Sequence, residues 1–291
     1  MYFKAMSEVN SKFPNFLGIG AMRSGTSWLF ALLGSHPEVF VPNDVKEVHF
    51  FDRYYNKGMP WYLSFFPSNS AAATYKVAGE VTPMYLYSEA VPARVRKHLP
   101  DAKFVVLLRN PVDRAYSHYK LAFHEGFTKA ASFSCFLQEE STAFPRGLYA
   151  RQLKRWFDHF PRERFLILIF EEVVCDPAQA MASIASFLGI NRQGFDERLL
   201  TQVVNPSKSH KLGKLYNYGI KLSVCFRKND LNWAAHFVAR TGSRMFKFLG
   251  ESKRTAPPLE ESVRERLLAA YQKNTVELEK MLKRDLSLWQ I

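Results

Sequence analysis

The chain has 291 residues, 47% of them hydrophobic and 23% charged, and its 40 Lys+Arg against 27 Asp+Glu give a formal net charge of +13. That composition supplies a full apolar core, which excludes a disordered chain, and the length fits one large or two small domains. The three cysteines, Cys135, Cys175 and Cys225, lie far apart without CxxC spacing. They exclude a disulfide scaffold and a cysteine zinc site, and read most simply as buried small hydrophobes. No apolar run approaches the roughly 20 residues of a membrane span, and the N-terminus MYFKAMSEVNSKFPN has no long apolar stretch of a secretory signal. The expectation is a soluble protein of a reducing, cytoplasmic compartment; a luminal domain cut from its membrane anchor is the alternative. The charge points to an anionic ligand.

In chain order, Asn15 to Gly20 (NFLGIG) predicts a short buried strand. Gly25 to Leu33 predicts a helix stopped by Gly34 and Pro37. Lys103 to Leu108 (KFVVLL) is a second strand, followed by a helix over about Val112 to Phe123 with Pro111 at its start. Arg164 to Phe170 is a third strand, and Asp176-Pro177 opens a helix that runs to Leu188 and stops at Gly189. Continuous apolar strands alternating with helices predict a parallel sheet covered on both faces. The fold class is therefore α/β, a P-loop-like three-layer sandwich. The expected organisation is one domain over 1–291: an α/β nucleotide-binding core at 14–195, a basic, aromatic helical flap at 205–254, and a C-terminal loop and helix at 255–291, the helix over roughly Glu260 to Leu286.

The sharpest local signal is Gly20-Ala21-Met22-Arg23-Ser24-Gly25-Thr26-Ser27, between a predicted strand and a predicted helix. In that setting backbone N–H groups and a helix N-terminus cradle a phosphate. The spacing is that of the nucleoside-triphosphate loop G-x-x-x-x-G-K-[ST], but Thr26 stands where the lysine belongs, and Arg23 is the cation within the loop. This argues against hydrolysis of ATP or GTP; an ordinary strand-to-helix turn is the other reading. A second strand-to-helix junction, Leu108-Arg109-Asn110-Pro111-Val112-Asp113-Arg114-Ala115-Tyr116-Ser117, sets Arg109 at a strand's C-terminal end and Ser117 about two helical turns on. Arg and Ser together suit a terminal phosphate. Asp113 reads as half of a helix-surface pair with Arg114, whose role stays open.

Two phosphate loops of this kind, one lacking its lysine, resemble the sulfotransferases that use 3′-phosphoadenosine 5′-phosphosulfate (PAPS) and release 3′-phosphoadenosine 5′-phosphate (PAP). The likeness is greatest to the heparan sulfate 3-O-/N-sulfotransferase branch, and related bacterial sulfotransferases look similar too. It covers most of Phe16 to Ile190 and resumes over Glu251 to Trp289. It is carried by GAMRSGTSWLFALLGSHPEV, KEVHFFD, GMPWYLSFFP, GEVTPMYL, LLRNPVDRAYSHY, GLYARQLKRWFDHFP and ESKRTAPP. The resemblance implies that Arg23, Ser24, Gly25, Thr26, Ser27 and Trp28 hold the 5′-phosphosulfate. It implies that Arg109 and Ser117 hold the 3′-phosphate and that Lys253 and Arg254 fold over the nucleotide. Arg23 stands where the family has a lysine on the bridging and sulfonate oxygens. Glu47 falls on the family's catalytic base, and a base fits chemically, because the acceptor must lose a proton as it attacks sulfur. A surface carboxylate paired with Lys46 is the competing reading. His49, two residues on in an extended segment, lies on the same side as Glu47 and is the further catalytic candidate, to orient the acceptor or share the base role. Lys46, Glu80, Tyr149 and Arg151 are candidate substrate-binding residues.

Val81 stands where the 3-O-sulfotransferases have a lysine, and the family's late disulfide is missing, which weakens heparan sulfate as acceptor while leaving sulfonate transfer intact. No metal site and no required metal are expected. The acceptor is a sugar, lipid or carrier-tethered or free metabolite hydroxyl, or an amine, and the loop tilts the source toward bacteria. Competing functions are a nucleotide or small-molecule kinase on the same loop, and a non-enzymatic polyanion binder, with no specific nucleic acid as partner. Between Asn205 and Arg254 lie eleven Lys/Arg and two acidic residues. Nine of the thirteen excess charges therefore sit there, as a flap over the acceptor, a docking surface for an acidic carrier or membrane, or a solvated basic face.

Overall fold

The computed structural model describes residues 14–43, 45–67, 74–200 and 255–290. These form two compact units, 14–109 with 152–200 and 110–151 with 255–290. The basic segment at 205–254, with Lys253 and Arg254, lies outside the described residues.

The first unit is built on five parallel strands: β1 (Phe16–Gly20), β2 (Val39–Phe40), β3 (Val77–Val81), β4 (Lys103–Leu108) and β5 (Phe165–Ile169), in the order β2-β3-β1-β4-β5. Its helices include α1 (Thr26–Ser35), α2 (Gly58–Leu63) and α3 (Val91–His98). In the second unit α4 (Pro111–His124) and α5 (Phe133–Glu139) follow; α6 (Tyr149–Phe157) leads back to the first, where α7 (Phe170–Cys175) and α8 (Pro177–Leu188) end the described part. α9 (Glu261–Leu282) belongs to the second unit.

Alternation along the strands explains the layers. Val105 and Leu107 face Leu29, Leu32 and Leu33 of α1 and Ile184, Ala185 and Leu188 of α8 in one buried cluster. Phe104, between them in sequence, turns to the opposite face, where its ring meets Trp156 of α6 at 5.0 Å and Phe160 at 4.6 Å. Both faces are covered, which is why β4 after Lys103 and the whole of β5 are apolar. Gly79 of β3 is a close-approach position: a Cβ there would sit 2.1 Å from the Phe16 carbonyl oxygen on β1. After β1 the chain moves to β2 and β3, and after β4 to β5 on the other side. The sheet's switch point therefore falls at the carboxyl ends of β1 and β4, where open α/β sheets place ligands.

In the second unit, Val112, Ala115 and Tyr119 of α4 pack with Phe133 and Phe136 of α5 and with Val263, Leu267 and Tyr271 of α9. Arg114 is fully buried and donates to the Ala143 carbonyl, so it is an internal strut of this unit. Asp113 pairs with Arg264 of α9 at 2.9 Å and not with its chain neighbour. Asn110 caps α4: its Oδ1 accepts from the N–H groups of Val112 at 2.9 Å and Asp113 at 3.3 Å, and its Nδ2 donates to the Trp289 carbonyl at 3.0 Å.

The parallel sheet with helices on both faces is as predicted. β3 was not foreseen, because VAGEV carries a glycine and a carboxylate. Gly34 does not stop α1, which continues to Ser35. Phe170 begins α7 and does not extend β5. α9 ends at Leu282, where Lys283 turns left-handed at φ 52°, short of the predicted Leu286. Cys135 and Cys175 are exposed free thiols and not buried hydrophobes. Among the described residues no helix is long and apolar enough to cross a membrane.

Asn110→Ala removes a cap and leaves a carbonyl unpaired, so urea unfolding should show a loss of about 2 kcal/mol. Asn110→Ser, which keeps the cap and gives up Trp289, should lose about half of that.

Candidate active site

The loop after β1 begins at the centre of the sheet. The Ala21 N–H donates to the Leu107 carbonyl at 2.6 Å, tying the loop to the end of β4. Arg23 is left-handed at φ 70°, and Gly25, at φ 89°, is the N-cap of α1 with no side-chain cap. The Trp28 N–H donates to the Gly25 carbonyl at 2.9 Å, which leaves the first two N–H groups of α1, those of Thr26 and Ser27, for a ligand, and the helix dipole there favours an anion. Ser24 is fully buried in the loop, and its Oγ has no hydrogen-bond partner. A buried orphan hydroxyl at a helix N-terminus fits a phosphate-bearing ligand. Arg109, at the end of β4, donates from Nη1 to the Arg23 carbonyl at 3.4 Å and stacks over the Phe170 ring at 4.7 Å.

Beside this loop runs a line of alternating charges. Lys46 Nζ donates to Ser27 Oγ at 2.8 Å and to Glu47 Oε1 at 3.2 Å. Glu47 Oε2 lies 3.3 Å from His49 Nε2, and His49 Nδ1 lies 2.9 Å from Asp52 Oδ2. Lys46 and Glu47 are 31% and 34% exposed, whereas His49 and Asp52 are each 9% exposed. Glu47 and His49 meet, but not through an extended segment: His49 is left-handed at φ 58°, and the chain turns there, with the Arg53 and Tyr54 N–H groups both on its carbonyl at 3.0 Å.

A buried network holds this turn. Glu80 of β3 is fully buried and its Oε2 accepts from the Val48 N–H at 3.2 Å and from Thr82 Oγ1 at 2.6 Å. Tyr85 donates to Glu80 Oε1 at 2.8 Å and accepts from the Phe51 N–H at 3.3 Å. Phe50 stacks on Tyr62 at 4.6 Å and Phe51 meets the Tyr85 ring edge-on at 5.7 Å, so the two phenylalanines anchor the turn in the core. Glu80, a candidate substrate-binding residue in the sequence, is thus placed beneath the turn with internal partners.

The remaining candidates are placed as follows. Trp28 donates from Nε1 to the Leu199 carbonyl at 3.1 Å, and Thr26 is buried at the first turn of α1. Ser117, Tyr149 and Arg151 belong to the second unit: Ser117 is buried on α4, Tyr149 is buried with its ring 5.9 Å from Trp289, and Arg151 is exposed. Sequence reasoning gave no role to Asp52, Thr82 or Tyr85. The signal for Asp52 was its place three residues after His49. For the other two, no local pattern marks a partner 33 or more residues away.

Electrostatics follow from these contacts. Burial works to raise the Glu47 carboxyl, but the His49 hydrogen bond and the Lys46 charge outweigh it and bring it from 4.5 down to about 2. Burial works to lower His49, but hydrogen bonds to Asp52 and Glu47 prevail and raise it above 6.5. Glu80 is shifted upward by burial, against the hydrogen bonds it accepts. The result is an ionised Glu47 between Lys46 and His49, on a segment that adjoins the loop after β1.

A sulfotransferase domain family model matches residues 14–228. Heparan sulfate glucosamine 3-O-sulfotransferase 6 of Mus musculus is 32% identical over 268 residues, covering 89% of this chain and 69% of that protein. The human bifunctional heparan sulfate N-deacetylase/N-sulfotransferase 3 is 30% identical over 292 residues, covering 93% of this chain but 30% of that protein. The crystal structure of a sulfotransferase from Alicyclobacillus acidocaldarius superposes with a TM-score of 0.67 at 25% identity, covering 96% of this chain and 99% of the other. The chain belongs to the sulfotransferase family, enzymes that transfer a sulfonate group from PAPS to an acceptor. Membership decides against the kinase and the polyanion binder.

The titrations carry a sign. Because His49 is raised in the folded state, its contribution to stability is complete below pH 6.5 and is lost as pH climbs through the raised value. Glu47, lowered to about 2, contributes above pH 4.5 and loses that contribution as pH falls toward 2. The stability advantage of the native protein over His49→Gln, read by urea unfolding at a series of pH values, should therefore shrink as pH rises from 6 to 9. An NMR titration should place the His49 imidazole above 6.5.

Proposed function

We propose that the donor PAPS is held by the loop Gly20–Ser27, with Arg23 and Ser24 on its 5′-phosphosulfate, and that Arg109 serves its 3′-phosphate. Glu47 is the general base and the acceptor is a hydroxyl. The single observation that carries this reading is the ionised Glu47 carboxylate, hydrogen-bonded to a lysine that also holds Ser27 of the phosphate loop. When bound, the donor supplies an activated sulfonate, whose bond to the 5′-phosphate oxygen breaks as the acceptor oxygen bonds to sulfur. Glu47 takes the acceptor's proton, and His49, braced by Asp52, orients Glu47. Arg23, the loop N–H groups and the N-terminus of α1 stabilise the negative charge left on the phosphate. This is catalysis by positioning and electrostatics.

For the acceptor, a saccharide hydroxyl is the first class supported, since relatives over 30% identical are named as heparan sulfate sulfotransferases. Val81, apolar and buried where those enzymes carry a lysine, points to a glycan other than heparan sulfate itself. The exposed free thiols of Cys135 and Cys175 support a reducing, cytoplasmic location. The basic segment 205–254 is the proposed acceptor flap or docking surface.

PAP should bind in the micromolar range by calorimetry, and Arg109→Ala should abolish that binding; preferential binding of ATP-Mg would sink the donor assignment. Glu47→Gln should bind PAP like the native protein yet lose at least ~10²-fold in transfer from labelled PAPS across a screen of saccharides, glycolipid head groups and metabolites. An active Glu47→Gln would take the base role away from Glu47.

A further inference from the structure

The phosphate loop lacks the lysine of nucleotide-hydrolysing loops, since Thr26 stands in its place, but it keeps the hydroxyl that follows, Ser27. In those loops the hydroxyl at this position ligates Mg²⁺, which neutralises the phosphates. Here Ser27 Oγ instead receives a hydrogen bond from Lys46 Nζ at 2.8 Å. Lys46 comes from the segment that follows β2 and not from the loop itself, so no reading of the loop's own spacing finds it. An ammonium group on that hydroxyl opposes a divalent cation in the same place by direct charge repulsion.

We propose that Lys46 is a catalytic residue whose ammonium group takes the place that Mg²⁺ fills in nucleotide-hydrolysing loops, contacting the donor's 5′-phosphosulfate beside Ser27. The assignment rests on the reading of Gly20–Ser27 as the donor loop and deepens it. In the transfer the sulfur–oxygen bond to the 5′-phosphate breaks and its electron pair stays on that oxygen. The acceptor oxygen bonds to sulfur, and the acceptor proton goes to Glu47. Lys46 touches both ends of this exchange, because its second partner is Glu47 Oε1 at 3.2 Å. As Glu47 takes the proton it loses its charge, and the ammonium group is released from that pairing toward the phosphate, where negative charge is growing. Proton removal on one side and charge neutralisation on the other are thus coupled through one side chain. Lys46 is about a third exposed at 31%, so the ammonium group reaches a ligand without any rearrangement of the core.

The test uses the full chain with PAP and PAPS as probes, in EDTA and in Mg²⁺. The variants are Lys46→Met, which keeps the aliphatic stem, and Lys46→Arg, which keeps the charge. Calorimetry should give PAPS binding about 10- to 100-fold weaker for Lys46→Met, the loss of one charge-assisted hydrogen bond, with Lys46→Arg closer to the native protein. Slow transfer of labelled sulfonate from PAPS to water, which needs no identified acceptor, should fall at least as far. The native protein should bind PAPS equally in EDTA and in Mg²⁺. Unchanged PAPS affinity in Lys46→Met would overturn the assignment, even with a shifted pH profile, for that would leave Lys46 as a partner of Glu47 alone. Native binding that requires Mg²⁺ would overturn it as well. A native protein that binds neither PAP nor PAPS would instead remove the donor-loop reading, and this assignment with it.

Discussion

The hydrogen bond from the Val48 N–H to the buried Glu80 carboxylate governs the geometry of everything around it. A turn with a non-glycine residue at positive φ is unfavourable, by ~1–2 kcal/mol for an L-residue in the left-handed region. His49 occupies that conformation. It persists because the backbone on either side of it is pinned: Val48 by Glu80, and Phe51 by Tyr85, which itself leans on Glu80. A buried carboxylate is costly to desolvate unless its lone pairs are used, and here three donors use them. The same bonds that make Glu80 tolerable in the core fix the turn from which Glu47, a third exposed, reaches the surface, with His49 buried behind it.

The turn in turn sets the charge order. Asp52, His49, Glu47 and Lys46 alternate in sign along contacts of 2.9 to 3.3 Å, and the line ends on a hydroxyl of the phosphate loop. Each member lies within the first unit, on loops at or near the carboxyl ends of parallel strands. The sheet order, with its switch point between β1 and β4, brings the phosphate loop and Arg109 to that same edge. The candidate site is thus a property of three segments held by the sheet: the loop after β1, Lys46 to Asp52, and the start of the segment after β4.

The strands and helices with continuous apolar runs were legible in the sequence: KFVVLL, FLILI and the helix closing on Gly189 stand where periodicity put them. So was the strand-to-helix junction at Gly20–Ser27; Glu47 and His49 do meet, but through the left-handed turn at His49 and not the extended alternation that the spacing suggested. What escaped was long-range. β3 hides a carboxylate among small residues, so its pattern does not read as a strand. Glu80 read as a candidate substrate-binding residue, because its partners Val48, Thr82 and Tyr85 are revealed by the fold and not by spacing. Lys46 read as a candidate substrate-binding residue or a surface partner of Glu47, and its contact 19 residues back on Ser27 cannot be read along the chain. Arg114 and Asp113 show the same limit: adjacent opposite charges suggest a pair, yet each finds its partner elsewhere in the second unit.

A carboxylate lowered to about 2 is a weak base, and this bears on how it works. In the proposed base role it would not remove a proton from a free hydroxyl ahead of bonding, because the pKa gap is too large. It would accept one as the bond to sulfur forms and the acceptor oxygen becomes acidic. The low resting value has a second use. A donor with several phosphate and sulfonate charges, placed against the loop, raises any nearby carboxyl by repulsion. A carboxyl at its ordinary 4.5 would be pushed toward protonation at the moment it is needed; one held at about 2 by His49 and Lys46 has room to rise and remains ionised. In the proposed site, Lys46 and His49 would thus offset in advance the field of an anionic donor.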